Sequence, residues 1–298
     1  AERMPQASDW RADARASIAP LGAELRTWRA GGRDLIWTPD PAIWNATAPL
    51  LFPIVGWARD GQIRVGDRGY AIGVHGFAAA SLFTIEAQQA DEVTLALRDD
   101  ARTASRYPFG FQFRITYRLS RTALRIDLEI ANTGAAMMPY ACGLHPGFRW
   151  PFAGGDPKDY LIRFAEAEVP EVPVIAPGGL FSACRRAIPL AGRDLPLAAD
   201  LFAAEALCFL DANSHALDFI APDGEHLSIA TEGFPHWALW ARPGAPFLSI
   251  ESWSGHGDPE GFDGELVDKP SMILLQPSAR RRHGATYAWH PALGTAPY

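Results

Sequence analysis

Short runs of strand-forming residues, separated by Gly, Pro, Asn and Asp, recur along the whole chain, and this rhythm most narrows the folds open to it. GAELRTW, EVTLALR, FQFRITYRL, ALRIDLEIAN, HLSIATE, WALWA, FLSIES and SMILLQ alternate polar and apolar residues or cluster β-branched and aromatic ones. An amphipathic helix would instead repeat its apolar positions every three to four residues. FQFRITYRLS followed by RTALRIDLEIAN predicts a hairpin turning near Ser120 to Thr122, and two long neighbouring strands predict a broad antiparallel sheet. Helical signals are weak. ASDWRADARASI predicts a short N-terminal helical turn, AADLFAAEALCFL reads as helix or as a loop with a strand, and PEVPVIAPGGL reads as an irregular loop. The expected fold class is all-β, a large and mainly antiparallel β-sandwich.

The 25 prolines and 27 glycines are spread through the connections rather than gathered in one linker, so one domain over residues 1–298 is expected. With 48% hydrophobic residues, a chain of this length buries a large core. A net charge of −7 and a pI near 5.6 argue against a nucleic-acid partner, which needs a clustered basic surface. The one local basic run, Arg280-Arg281-Arg282, reads as a solvated loop or strand end. Cys142, Cys184 and Cys208 are odd in number, far apart and without a CxxC pair, so they read as small buried apolar groups in a reducing compartment. No apolar run approaches the ~20 residues of a membrane span, and the first residues lack the apolar middle of a secretory signal. A soluble cytoplasmic protein without a membrane partner is the expectation.

Three segments carry chemistry. The run APLLFPIVGWARDGQIRVGDRGYAIGVHGFA ends in His75-Gly76. In YACGLHPGFRWP, Gly143 and Pro146 bracket His145 and restrict the backbone that aims its imidazole. In FLSIESWSGHGDPEGF, Glu251 closes an apolar strand immediately before Trp253, and desolvation there would raise a carboxyl toward the range of a base useful at neutral pH. Each histidine alone also suits a hydrogen-bonded loop residue, and Glu251 alone suits an exposed strand end. Asp258, Glu260, Asp263 and Glu265 lack the spacing of a calcium loop and are expected on the solvated surface. Lys269 is one of two lysines among 27 Lys and Arg, which by itself assigns it no role.

Taken in order, GAEL with DLIW, Trp44, APLLFPIVG, HGF, RYPFGFQF, Asn132 to Gly134, GLHPGF, GFPHWALWARPGAPFLSIESW and Lys269-Pro270 resemble the aldose 1-epimerase (galactose mutarotase-like) family almost end to end. The resemblance implies the galactose mutarotase-like supersandwich and a sugar-ring isomerase working without metal or organic cofactor. It makes Glu251 the base on the anomeric hydroxyl, His145 the acid on the ring oxygen, and His75 a pocket histidine bonded to a sugar oxygen. Trp240 and Trp253 are the first candidates to stack on the sugar, ahead of Trp44 and Trp237, because a pyranose presents an apolar C–H face. Relatives carry an arginine where this chain has Trp57, and Arg59 would recover that contact if both residues shared a strand face. Ser252 stands where proline is usual, and Ser278-Ala279 replaces a Pro-Gly-type turn. Asp200 and Asp211 are the candidates for a carboxylate on the sugar hydroxyls. A close variant, hexose-6-phosphate 1-epimerase, would draw on Arg59, Arg106 and Arg149 to pair a phosphate. A non-catalytic sugar-binding protein on the same fold is disfavoured by the presence of both His145 and Glu251, and a glycosidase by the lack of a second well-framed carboxylate.

Overall fold

The computed structural model describes residues 14–292, and their regular structure is almost entirely antiparallel strands. The larger sheet has nine strands in the order Asp194–Pro196, Leu161–Phe164, Ala216–Ile220, His226–Glu232, Arg280–His290, Ala123–Asn132, Phe111–Leu119, Glu92–Arg98 and Thr84–Gln88. The hairpin around Ser120 is present, with Leu124 opposite Leu119 and the Ser120 N–H donating to the Ala123 carbonyl. Alternation decides its faces: Leu124, Ile126, Leu128 and Ile130 point into the core. On the outer face Arg114 and Arg118 bridge Glu86, Glu129, Glu92 and Asp127.

A six-stranded sheet lies across the core, with the path Leu207–Phe209, His236–Trp240, Phe247–Trp253, Gly143–Leu144 and Leu50–Leu51, and with Gly147–Arg149 also pairing Phe247–Trp253. The two layers meet through aromatic contacts, Phe164 with Phe209 at 4.8 Å, Phe52 with Phe113 at 5.1 Å and Phe148 with Tyr287 at 5.4 Å. Phe247–Trp253 is buried at every position. One of its faces lies on the core, and the other forms the floor of the site described below.

The strand-like segments expected from the sequence are all strands, and AADLFAAEALCFL is turns leading into Leu207–Phe209. Most of the segment expected as an N-terminal helical turn, residues 7–13, lies outside the described residues; of the remainder, Arg15–Ala19 is a strand paired with Glu24–Ala30. Pairing across the sheet outweighs the helix preference of its alanines. PEVPVIAPGGL is not irregular either. Glu171–Ala176 pairs with Leu180–Ala187 around Gly178 and Gly179, both at positive φ, and the register shifts between Pro173 and Ile175, where the chain lacks an N–H. Cys142 and Cys208 are buried, but Cys184 is exposed on that hairpin, between exposed Ala183 and Arg185. Arg280-Arg281-Arg282 begins a strand with its side chains in solvent. Among the described residues no helix is long and apolar enough to cross a membrane.

Candidate active site

The site grows from the register of two neighbouring strands. Trp240, Ala238 and His236 stand opposite Ser249, Glu251 and Trp253, so all six share one face of the smaller sheet. His145 arrives on that face through an interruption of the ladder. Gly143–Leu144 and Gly147–Arg149 both pair with Phe247–Trp253, and Pro146 between them has no N–H to continue the bonding. Gly147 is required there by close approach, since a Cβ would stand 2.7 Å from the Trp44 ring.

His145 Nε2 lies 3.2 Å from Glu251 Oε1, and both residues are buried. Glu251 Oε2 accepts the Trp253 indole N–H at 2.9 Å. Burial pushes the Glu251 carboxyl well above the usual carboxylate range, opposed by that indole bond. Burial, with the adjacent His75, pulls His145 down to about 3. The pair therefore favours holding a single proton between its members, which leaves it without net charge or converts it to an imidazolium and a carboxylate with no change in total. Ser249 sets the tautomer: its hydroxyl donates to the Pro146 carbonyl at 3.2 Å and turns a lone pair toward His145 Nδ1 at 2.9 Å. Nδ1 thus keeps its proton, and Nε2 is the nitrogen that exchanges one with Glu251.

His75 adopts φ 62°, in the left-handed region. It is held by two bonds with Gly56, its N–H donating to the Gly56 carbonyl at 2.9 Å and its Nδ1 accepting the Gly56 N–H at 3.0 Å. A neutral His75 then carries its proton on Nε2, and burial lowers its pKa to about 4. Its ring stands 5.5 Å from that of His145. Gly56, at φ 74°, backs directly onto Gly257, where a Cβ would come within 2.8 Å of the facing main chain. Past Gly257 come His256 and, 5.5 Å on, His236, the cross-strand partner of Trp253. The His75 ring in turn stands 6.5 Å from the Trp253 indole.

Trp44 and Trp240 form a wall beside the acid–base pair, 5.2 and 5.8 Å from the His145 ring and edge-on to each other at 5.4 Å. Trp44 therefore stands closer to the pair than the sequence ranking suggested, while Trp237 is core, its indole donating to the Ser214 carbonyl. Trp57 is half-exposed and covers the Gly179 turn. Arg59 does not share a strand face with it, because Arg59–Gly61 is a 3₁₀ turn, and its guanidinium reaches the Phe262 carbonyl and Asp60 instead. Arg149 is bonded to Ile36 and Thr38, and Arg106 lies over the Phe77 ring. Asp200 is exposed, and the Asp211 carboxylate is also in solvent. Ser252 is buried on the face opposite Glu251.

Of the acidic loop expected at the surface, Glu260 and Asp263 are exposed, but Asp258 is buried. It pairs with the buried Lys269 at 2.9 Å and accepts the Arg59 N–H at 2.8 Å. Two ion and hydrogen bonds from one carboxylate offset the desolvation that would otherwise hold it outside. Burial lowers the Lys269 pKa, opposed by Asp258. The sequence reading also missed Ser249, His236 and His256; Ser249 stands two residues before Glu251 on the same strand face, whereas His236 is reached only across the ladder from Trp253 and His256 only through the loop after it. Among the described residues no three His, Cys, Asp or Glu side chains converge as a metal-ligand set.

A sequence profile of the aldose 1-epimerase family matches residues 9–176. The chain is 30% identical over 269 residues to the chromosomal LacX protein of Lactococcus lactis subsp. lactis, covering 86% of this chain and 90% of that one. Its fold is similar to a galactose mutarotase-related enzyme from Lactobacillus acidophilus, with 26% identity, a TM-score of 0.85 and coverage of 94% and 96% of the two chains. It is equally similar to a galactose mutarotase-like protein from Lactobacillus casei, with 26% identity, a TM-score of 0.86 and coverage of 93% and 97%.

Proposed function

The chain belongs to the aldose 1-epimerase family and is an isomerase acting on carbohydrates, and from that premise we propose that it interconverts the α and β anomers of an aldose with His145 as acid and Glu251 as base. The observation that carries this reading is the buried 3.2 Å contact between His145 Nε2 and Glu251 Oε1. Opening a pyranose needs one proton removed from the anomeric hydroxyl while another reaches the ring oxygen. Glu251 takes the first and His145 Nε2 gives the second as the bond from C1 to the ring oxygen breaks, leaving an open-chain aldehyde. After rotation about the C1–C2 bond the two residues exchange roles, and the ring closes on the opposite face of C1. Each cycle returns both protons, so the pair ends as it began.

The surroundings suit the charge that moves. Burial favours the uncharged pair, and sugar oxygens hydrogen-bonded to it stabilise the imidazolium and carboxylate at the moment of transfer. Nε2–H of His75 supplies a further donor for a sugar oxygen, and Trp44, Trp240 and Trp253 offer flat apolar faces for the C–H side of the ring.

Exchange NMR and polarimetry on freshly dissolved α-glucose, α-galactose and glucose 6-phosphate test the reading. The expected result is acceleration of anomer exchange over buffer, abolished by His145→Ala and by Glu251→Ala. No acceleration across a broad aldose panel would remove the proposed activity, and full activity in both variants would remove the assigned roles.

A further inference from the structure

Further along the sheet face from the His145–Glu251 pair stand two histidines, His236 and His256, to which that chemistry gives no part. His236 is 3% exposed and lies on the same sheet face as Glu251, one cross-strand pair along the ladder. That displacement is about 7 Å, the reach of one sugar ring with its hydroxyls. His236 Nδ1 accepts the backbone N–H of Asp211 at 2.9 Å. A backbone N–H can only donate, so neutral His236 carries its proton on Nε2. Among the described residues the Nε2–H has no hydrogen-bond partner.

His256, whose ring is 5.5 Å from that of His236, has the opposite tautomer. Its Nδ1 lies 2.9 Å from the Gly257 carbonyl, which can only accept, so Nδ1 is the protonated nitrogen and Nε2 offers a lone pair. Burial keeps both rings neutral, holding His236 at about 4 and lowering His256 as well. The charged groups nearest the two rings are Asp211, Asp258 and Lys269, and the last two are already paired with each other. The two rings therefore present one fixed donor and one fixed acceptor, both uncharged.

We propose that His236 and His256 bind a single hydroxyl of the sugar at the end remote from the anomeric carbon, the hydroxyl accepting from His236 Nε2–H and donating to His256 Nε2. This assignment rests on the proposed anomer exchange and narrows its substrate to an aldose with a free hydroxyl at that end. A carboxylate or a phosphate dianion has no proton to give His256 and meets one neutral donor where an anion gains most from cations and several N–H groups.

The test combines kinetics with a binding readout. Initial anomer-exchange rates are measured for wild type, His256→Leu and His256→Gln on an accepted aldose and on its 4-deoxy and 6-deoxy analogues. His256→Leu is expected to raise KM about tenfold with kcat within about twofold, since a contact made equally in ground and transition states affects binding alone. One deoxy analogue is expected to show the same rise in wild type and no further rise in His256→Leu, and His256→Gln, whose side-chain oxygen can accept, recovers most of the affinity. Equal KM values for wild type and His256→Leu, or a further full loss on every deoxy analogue, would overturn the assignment while leaving the anomer exchange standing. In parallel, long-range ¹H–¹⁵N imidazole spectra of the wild-type protein are recorded during titration with the same aldose. Shifts at the Nε2 positions of His236 and His256 are expected even if turnover is absent, which would sink the activity alone. Sugar binding without those shifts would overturn the two-histidine assignment, and no binding of any aldose would overturn both.

Discussion

In the proposed reaction, individual atoms at the site divide into those that exchange a proton and those that fix which proton moves. Glu251→Gln keeps size and removes basicity, so anomer exchange should fall by about 10² to 10⁴-fold while the melting temperature holds or rises, because a buried ionisable group is replaced by a neutral one. Exchange NMR and thermal melts on one preparation check both halves. Ser249→Ala leaves the His145–Glu251 contact but frees the tautomer of His145, and kcat is expected to drop about tenfold with KM little changed and the pH profile displaced. His145, Glu251 and His75 were singled out through the ordered family segments that carry them rather than by their immediate neighbours, and the fold brings the three close together. His236, His256 and Ser249 were not legible, since a histidine's role depends on which nitrogen is bonded, and those bonds run to the Asp211 amide, the Gly257 carbonyl and the Pro146 carbonyl.

Strands and loops position those atoms with different security. The loop from Ser254 to Phe262 carries His256 and is fastened by Asp258 to Lys269 and to the Arg59 amide. Lys269→Met strands a buried carboxylate and is expected to destabilise the fold by about 3–5 kcal/mol, whereas adding Asp258→Asn should return a substantial part of that loss. Urea unfolding of the two variants measures it. The fastening was hidden because every residue of the loop looks fit for solvent when read locally; only the arrival of Lys269 beneath it makes Asp258 an interior group. Other motifs proved architectural: Asn132 ties Ala136, Leu275 and Gly134 together, and the Tyr107 hydroxyl donates to the Pro139 carbonyl. The hairpin of Phe111–Leu119 with Ala123–Asn132 was readable, being local in sequence. Insertion of Arg280–His290 between Ala123–Asn132 and His226–Glu232 was not, because no local pattern names so distant a partner.

Across the molecule, the nine-stranded sheet supplies none of the site residues named above and serves as backing for the six-stranded sheet that does. Stability of the assembled core should depend on acid through its buried imidazoles. His236 and His283 are each held at about 4 against an ordinary 6.5. A depressed pKa contributes stability that is fully present above 6.5 and is lost as pH falls toward 4, because unfolding then takes up a proton at each ring. The slope is at most about 1.4 kcal/mol per pH unit for each histidine. Melting temperatures followed from pH 7.5 to 4.5 should decline across that window, and His283→Gln should flatten the decline. A flat profile from 6.5 to 4.5 would mean that these rings are not held neutral.

The indole bonded to Glu251 also makes the pocket visible to light. Trp253 donates its N–H to the Glu251 carboxyl, the proposed base, so its excited state is coupled to whether that carboxyl bears a charge. With ten tryptophans in the chain its emission is one voice among several, but subtracting the spectrum of Trp253→Phe isolates it. The protein thus carries its own optical reporter of protonation at the Glu251 carboxyl, readable without any added dye.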